Sequence, residues 1–214
     1  GDSAFAYCTS LTSVTIPDSV TTIGDRAFYS CKALTFITIP DSVTTIGLVA
    51  FYNTAYYNNE TNWENGVLYI NNYLIKAKDT ISGNYEIKPG TKTITGGAFA
   101  YCEDLTSITI PGSVTTIGDW AFSGCSSLTA IVIPDGITSI GRMTFYNCIS
   151  LTSVVIGDSE LESGIVKLKN MESGEEQEVA LSTFESDILN ISIAESLKEF
   201  DNLDLSALTG SIEI

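Results

Sequence analysis

Apolar residues recur along most of this chain at fixed intervals. In Gly24–Ile46 they are Ala27, Phe28, Cys31, Leu34, Ile37, Ile39, Val43 and Ile46, set among small polar residues. Gly1–Ile23, Thr95–Ile117 and Gly118–Ile140 repeat this string almost residue for residue, a period of 23. Ile37 and Ile39 alternate with Phe36 and Thr38, which predicts a short strand with one buried face. Pro40 ends the ladder because it has no N–H to donate, and Pro17, Pro111 and Pro134 hold the same place. Val43 and Ile46 face inward on the return segment, and Gly47 marks a sharp turn or a close backbone approach. Phe28 and Cys31, three apart, predict one helical turn with both side chains inside.

Burial within a single copy falls short of the conformational entropy lost in ordering it. Copies must therefore stack into a solenoid with parallel strands on one face and core residues in columns. The unit LTSVTIPDSVTTIGDRAFYSCKAL, with its spaced Ala-Phe, Cys, Leu, Val, Ile, Pro, Val, Ile and Gly, resembles the BspA-like leucine-rich repeats of bacterial surface antigens. The resemblance covers residues 1–157 and carries no catalytic motif. It implies a curved, right-handed leucine-rich-repeat solenoid, mostly β with short helical turns, whose strand face binds protein. It also implies an adhesion or protein-binding role on an exported protein, hence an extracellular or cell-surface location, with a cytoplasmic one left open. A structural spacer that self-associates end to end is the competing expectation.

The period breaks across about residues 52–94. Asn71-Asn72 separates GVLYI from YLIKAK and predicts a β-hairpin, because asparagine tolerates the positive φ of a two-residue turn. YEIKPGTKTI aligns with VTIPDSVTTI and puts Tyr85 and Ile87 in core columns. The aromatic residues Tyr56, Tyr57 and Trp63 have two readings. They form either the hairpin's own hydrophobic cluster or a patch for protein or glycan, where rigid rings make contact and nearby amides bond. On the strand face the outward columns are small and flat, chiefly threonine and serine. Phe36 is the exception, and with Thr38 it is the other candidate binding position.

Composition narrows the chemistry. Histidine is absent, which removes Ser-His and Cys-His nucleophiles and histidine-containing zinc sites. The reading is non-enzymatic, with no cofactor and no metal. The formal charge of −16 argues against a nucleic-acid partner. No apolar run approaches membrane-spanning length. Cys8, Cys31, Cys102, Cys125 and Cys148 share one repeat position, with Thr54 in the missing place. One per copy, they are expected to be too far apart for disulfides and to act as small buried hydrophobes. The opening GDSAFAYC lacks a signal peptide's basic and apolar regions and begins at a repeat boundary, as expected of a piece of a longer array.

Residues 158–214 hold 14 of the 26 acids and 3 of the 10 basic residues, which marks a composition break at Gly157. IVKLKN and EEQEVAL alternate like two paired strands. Ser182 and Glu185 have capping-box spacing, and Ala194–Leu203 is amphipathic. A small α+β cap on the solenoid is the expectation, with its dense carboxylates solvated. Residues 154–184 also resemble the end of a histidyl-tRNA synthetase anticodon-binding domain, which makes a fused, synthetase-derived segment the alternative.

Overall fold

The structure, a computed structural model, describes residues 1–156, 165–169, 176–180 and 210–213. Six copies stack as rungs that begin at Gly1, Gly24, Gly47, Thr95, Gly118 and Gly141. Each complete rung has three sides. The strand side carries β1 (Ser13–Thr15), β3 (Phe36–Thr38), β8 (Gly83–Glu86), β10 (Leu105–Thr109), β12 (Ala130–Ile133) and β14 (Ser153–Ile156). The return side carries β2 (Thr22–Ile23), β4 (Thr45–Ile46), β9 (Thr93–Ile94), β11 (Thr116–Ile117) and β13 (Ser139–Ile140). Partners pair in parallel and in repeat register, with Ile37 beside Val14 and Ile46 beside Ile23. The fold is thus a mostly β leucine-rich-repeat solenoid, as the periodicity requires.

The third side departs from expectation. The AFxxC segments are runs of turns, and no helix forms there. Arg26 and Ser30 take φ of 53° and 56°, which interrupts a right-handed helix on either side of Phe28. The same alternation lets N–H groups two residues apart point at the next rung. Arg26, Phe28 and Ser30 donate to the carbonyls of Leu48, Ala50 and Tyr52 at 2.8–2.9 Å. Phe28 and Cys31 still face inward, as the spacing predicts.

Columns tie the rungs together. Asp25 Oδ1 accepts from the Leu48 N–H at 2.8 Å, and Asp119 does the same for Arg142. The Thr35 and Thr129 hydroxyls donate to the carbonyls of Thr12 and Thr106, so the outward threonines bond their neighbours. Gly47 provides a close approach: a Cβ there would lie 2.6 Å from Asp25 N. Phe5, Phe28 and Phe51 stack at 5.3 and 5.5 Å, and Phe99, Phe122 and Phe145 at 5.3 and 5.8 Å.

All five thiols are free. The Sγ atoms of Cys31, Cys125 and Cys148 lie 3.0–3.2 Å from the carbonyls of Phe5, Phe99 and Phe122, to which they donate. Burial pushes the Cys102 and Cys148 thiols up to about 11. Cys8 differs, being exposed in the first rung. Thr54 takes the vacant place in the column and caps α1 (Ala55–Asn58), accepting from the Tyr57 N–H at 3.0 Å.

Beyond the array, β15 (Ile165–Lys169) pairs antiparallel with β16 (Glu176–Ala180), the hairpin expected there. β17 (Gly210–Glu213) runs antiparallel beside β14. The capping-box pair Ser182 and Glu185, the amphipathic stretch 194–203 and the carboxylates at 158, 160, 162, 172 and 175 lie outside the described residues.

Candidate functional site

The insertion builds a three-stranded antiparallel unit from β5 (Trp63–Glu64), β6 (Val67–Ile70) and β7 (Tyr73–Ala77), with Asn71 at φ 53° in the expected turn. β7 pairs in parallel with β9, so the hairpin continues the return sheet. Its place in the core is the main surprise. All four residues of β6 are buried, as are all of β7 except the half-buried Lys76. Leu68, Ile70, Tyr73 and Ile75 pack into the core of the first rungs; Val67, Tyr69, Leu74 and Ala77 pack into that of the later rungs. The hairpin is a wedge between two half-cores. Its sequence signal lies in VLYI and YLIKA, runs apolar on both faces, which suit a strand buried on both sides.

Polar groups fix the wedge. The Tyr73 hydroxyl lies 2.8 Å from the Pro40 carbonyl and 2.9 Å from the Val43 carbonyl. Gly96 N–H donates to the Ile46 carbonyl at 3.0 Å, and Lys92 pairs with Asp41 at 2.7 Å across the two halves. Tyr85 lies in register with Ile108, and Ile87 is buried, so the last part of the insertion re-enters the core columns as expected.

The five candidate binding residues fall into two groups. Phe36 stands 64% exposed on the strand side, in the two-stranded sheet of β1 and β3, and Thr38 is exposed on the same strand. Their neighbours in register are Ser13 and Thr15. Tyr56 and Tyr57, in α1, and Trp63, in β5, are half-buried against the first half-core. Tyr56 N–H bonds the Leu34 carbonyl at 2.8 Å, which docks α1 beside the segment leading into β3. The Tyr56 hydroxyl donates to the Tyr69 carbonyl, and the Trp63 indole N–H donates to the Tyr57 carbonyl. These polar handles are therefore used internally, while ring faces form an outer series. Tyr7 meets Tyr29, Tyr29 meets Tyr52, Tyr52 meets Tyr57, and Tyr57 meets Trp63, all at 5.2–5.5 Å. Lys78 Nζ caps the series 5.1 Å over Trp63. Burial, with the neighbouring Tyr52 adding to it, pushes the Tyr57 phenol up to about 12.

One further feature has no counterpart in the sequence reading. Where rung 3 meets rung 4, a cleft of about 370 Å³ opens, walled by Tyr52, Tyr57, Tyr101 and Trp120. No group of three or more metal-ligating side chains occurs among the described residues. None of the described helices is long and apolar enough to cross a membrane.

Comparison with known proteins matches the BspA type leucine rich repeat region, in six copies, over residues 1–83 and 92–204. That match runs through the stretch likened to a synthetase domain, and the synthetase resemblance finds no support. No curated protein matches. Among solved structures, a leucine-rich repeat protein from Eubacterium ventriosum is 28% identical, covering 71% of this chain and 55% of that one, with a TM-score of 0.43. A leucine rich cell surface protein from Faecalibacterium prausnitzii is 30% identical over 79% of this chain and 46% of its own, with a TM-score of 0.40. A leucine-rich repeat protein from Bacteroides ovatus is 29% identical over 72% and 39%, with a TM-score of 0.33. The chain thus spans about half, or less, of the length of these relatives. With the family's pattern in six copies over most of its length, the chain belongs to the BspA type leucine-rich repeat family.

Proposed function

We propose that the chain is a non-catalytic recognition module of an exported, surface-type protein, engaging a protein partner with its strand side. Phe36 carries this reading. A phenylalanine exposed to 64% in a row otherwise made of serine, asparagine and alanine offers a hydrophobic anchor, with Val132, 52% exposed, farther along the strand side. Thr38 flanks it on the same strand, and the series through Tyr57 and Trp63 supplies further ring surface beside α1. Tyr56 contributes mainly by holding α1 to the hairpin. The antiparallel strand β17 supports the reading of residues 158–214 as a cap, since it covers the edge that β14 would otherwise leave open.

The test displays the full chain against a panel of extracellular protein domains and, separately, a glycan array. A protein ligand should be found whose affinity falls at least tenfold in Phe36→Ala, with secondary structure and melting unchanged. Binding only to glycans would redirect the reading to the aromatic series. Concentration-dependent self-association with no ligand would favour a structural spacer and overturn the proposal.

A further inference from the structure

Each regular junction on the turn side is made by three backbone N–H groups, from the third, fifth and seventh residues of a rung. Ser3, Phe5 and Tyr7 donate to Asp25, Ala27 and Tyr29, and Gly97, Phe99 and Tyr101 donate to Asp119, Ala121 and Ser123. In rung 3 the equivalent donors are Val49, Phe51 and Asn53. Among the described residues, no acceptor meets any of them. Two of the acceptors they would have met in rung 4, the Ala98 and Ala100 carbonyls, are taken by the hairpin. Ala77 N–H donates to the Ala98 carbonyl at 2.7 Å, and Lys76 Nζ donates to the Ala100 and Gly97 carbonyls at 3.1 and 2.8 Å. The two rungs touch at Gly47 and Gly96 and part beyond them. Val49 and Phe51 are therefore left on one wall of the cleft, facing Tyr101 and Trp120 on the other, with Ile75 and Lys76 of the hairpin between.

This wall is unlike a packing flaw. Val49 is 42% exposed, so its N–H stands open to an incoming acceptor, whereas Phe51 is wholly buried, where an unpaired N–H is costly. Val49 holds φ at 49°, an unfavourable conformation for a β-branched residue, so the donor geometry is kept against local strain. The occupant must bring acceptors and apolar surface. A glycan brings as many donors as acceptors, and this mainly apolar lining has few side-chain acceptors for them. In rungs 1, 2, 4 and 5 such a row is met by the carbonyls of another stretch of polypeptide.

We propose that the cleft between rungs 3 and 4 binds a short polypeptide segment, a backbone carbonyl of which accepts from the exposed Val49. An apolar or aromatic side chain of that segment lies between Tyr52 and Tyr101. The surface is separate from the strand side, and its occupation does not depend on Phe36.

Ala100 supplies the variant that tests it. It holds the rung position occupied by Tyr29, Tyr52 and Tyr146 in other copies, so Ala100→Tyr is compatible with the array and fills the cleft. A random heptapeptide library displayed on phage is panned against the full chain, and enriched peptides are synthesised and titrated by calorimetry and amide NMR. Enriched peptides should shift the Val49 and Phe51 amide resonances, bind Ala100→Tyr at least tenfold more weakly, and bind Phe36→Ala unchanged. The proposal is overturned if no peptide enriches, if peptides bind Ala100→Tyr equally, or if they shift the β3 amides and leave Val49 and Phe51 unmoved. The amide shifts are read on the unaltered chain, so they decide the matter even if the variant is unstable.

Discussion

The junction between rungs 2 and 3 and the one between rungs 3 and 4 use the same kinds of residue to opposite ends. At the first, three N–H groups find three carbonyls, Phe28 stacks on Phe51 at 5.5 Å, and Asp25 ties the Leu48 N–H. At the second, the phenylalanine stack stops at Phe51 and resumes at Phe99, which meets Tyr85 at 5.8 Å. The donors of rung 3 have no carbonyl opposite them, and a hairpin has taken two of the acceptors of rung 4. A repeat array holds by nearest-neighbour contacts, so a single irregular junction divides it into two blocks. The wedge restores the burial lost between the blocks, and it does so without restoring the backbone ladder. Stability and exposed chemistry are thereby separated in space.

The strongest way to break this arrangement is to remove the wedge's anchor. Tyr73 is wholly buried, and replacing it with alanine should cost about 3–5 kcal/mol, as for other large buried rings. Tyr73→Phe keeps the ring but leaves the Pro40 and Val43 carbonyls without their donor, a loss of about 1–3 kcal/mol. Urea unfolding measures both, and the alanine variant should separate the blocks into two transitions. A single, unshifted transition would mean that the hairpin does not hold them.

The glycine column sharpens the comparison. A Cβ on Gly24 would lie 2.6 Å from Asp2 N, whereas one on Gly96 would lie 3.0 Å from Leu48 N. Gly24→Ala should therefore cost about 1–3 kcal/mol, as overpacking does, and Gly96→Ala less. Thermal melts of the two variants give the order, and the reverse order would contradict the looser junction at rung 4.

A smaller effect is expected on alkaline titration. Tyr57 in the folded chain ionises at about 12, against 10 for a free phenol, chiefly because it is buried. Its contribution to stability is complete below pH 10 and is lost as the pH rises through 12. Phenolate absorbance should show a component ionising well above pH 10 that Tyr57→Phe removes. Titration of all tyrosines together near 10 would show that the α1 cluster is open to solvent.

Much of this is legible in the sequence because a repeat states its own geometry. Pro40 fixes the end of β3, Asn71-Asn72 fixes the hairpin turn, and the apolar spacing fixes the columns. The AFxxC turn reads as helical in sequence because positive φ at Arg26 and Ser30 has no compositional mark: both are ordinary L residues, held there by the bonds between rungs. The aromatic insertion reads as a hairpin with its own small cluster or a binding patch, although GVLYI and YLIKA are apolar on both strand faces. Alternation looks for one wet face and has no category for a hairpin used as filler. The cleft leaves no trace in the sequence, because it is made of backbone donors and of the small side chain at Ala100. A missing partner is a property of the stack, which no single copy records.

Native-state hydrogen exchange by amide NMR tests the central claim most directly, by comparing rung 2 with rung 3 in the unliganded chain. Arg26, Phe28 and Ser30, each bonded across a regular junction, should exchange slowly. Val49 and Asn53, at equivalent positions on the interrupted junction, should exchange faster by orders of magnitude. Equal protection at the two sets would mean that the ladder runs unbroken through rungs 3 and 4, and would contradict both the wedge and the open donor row.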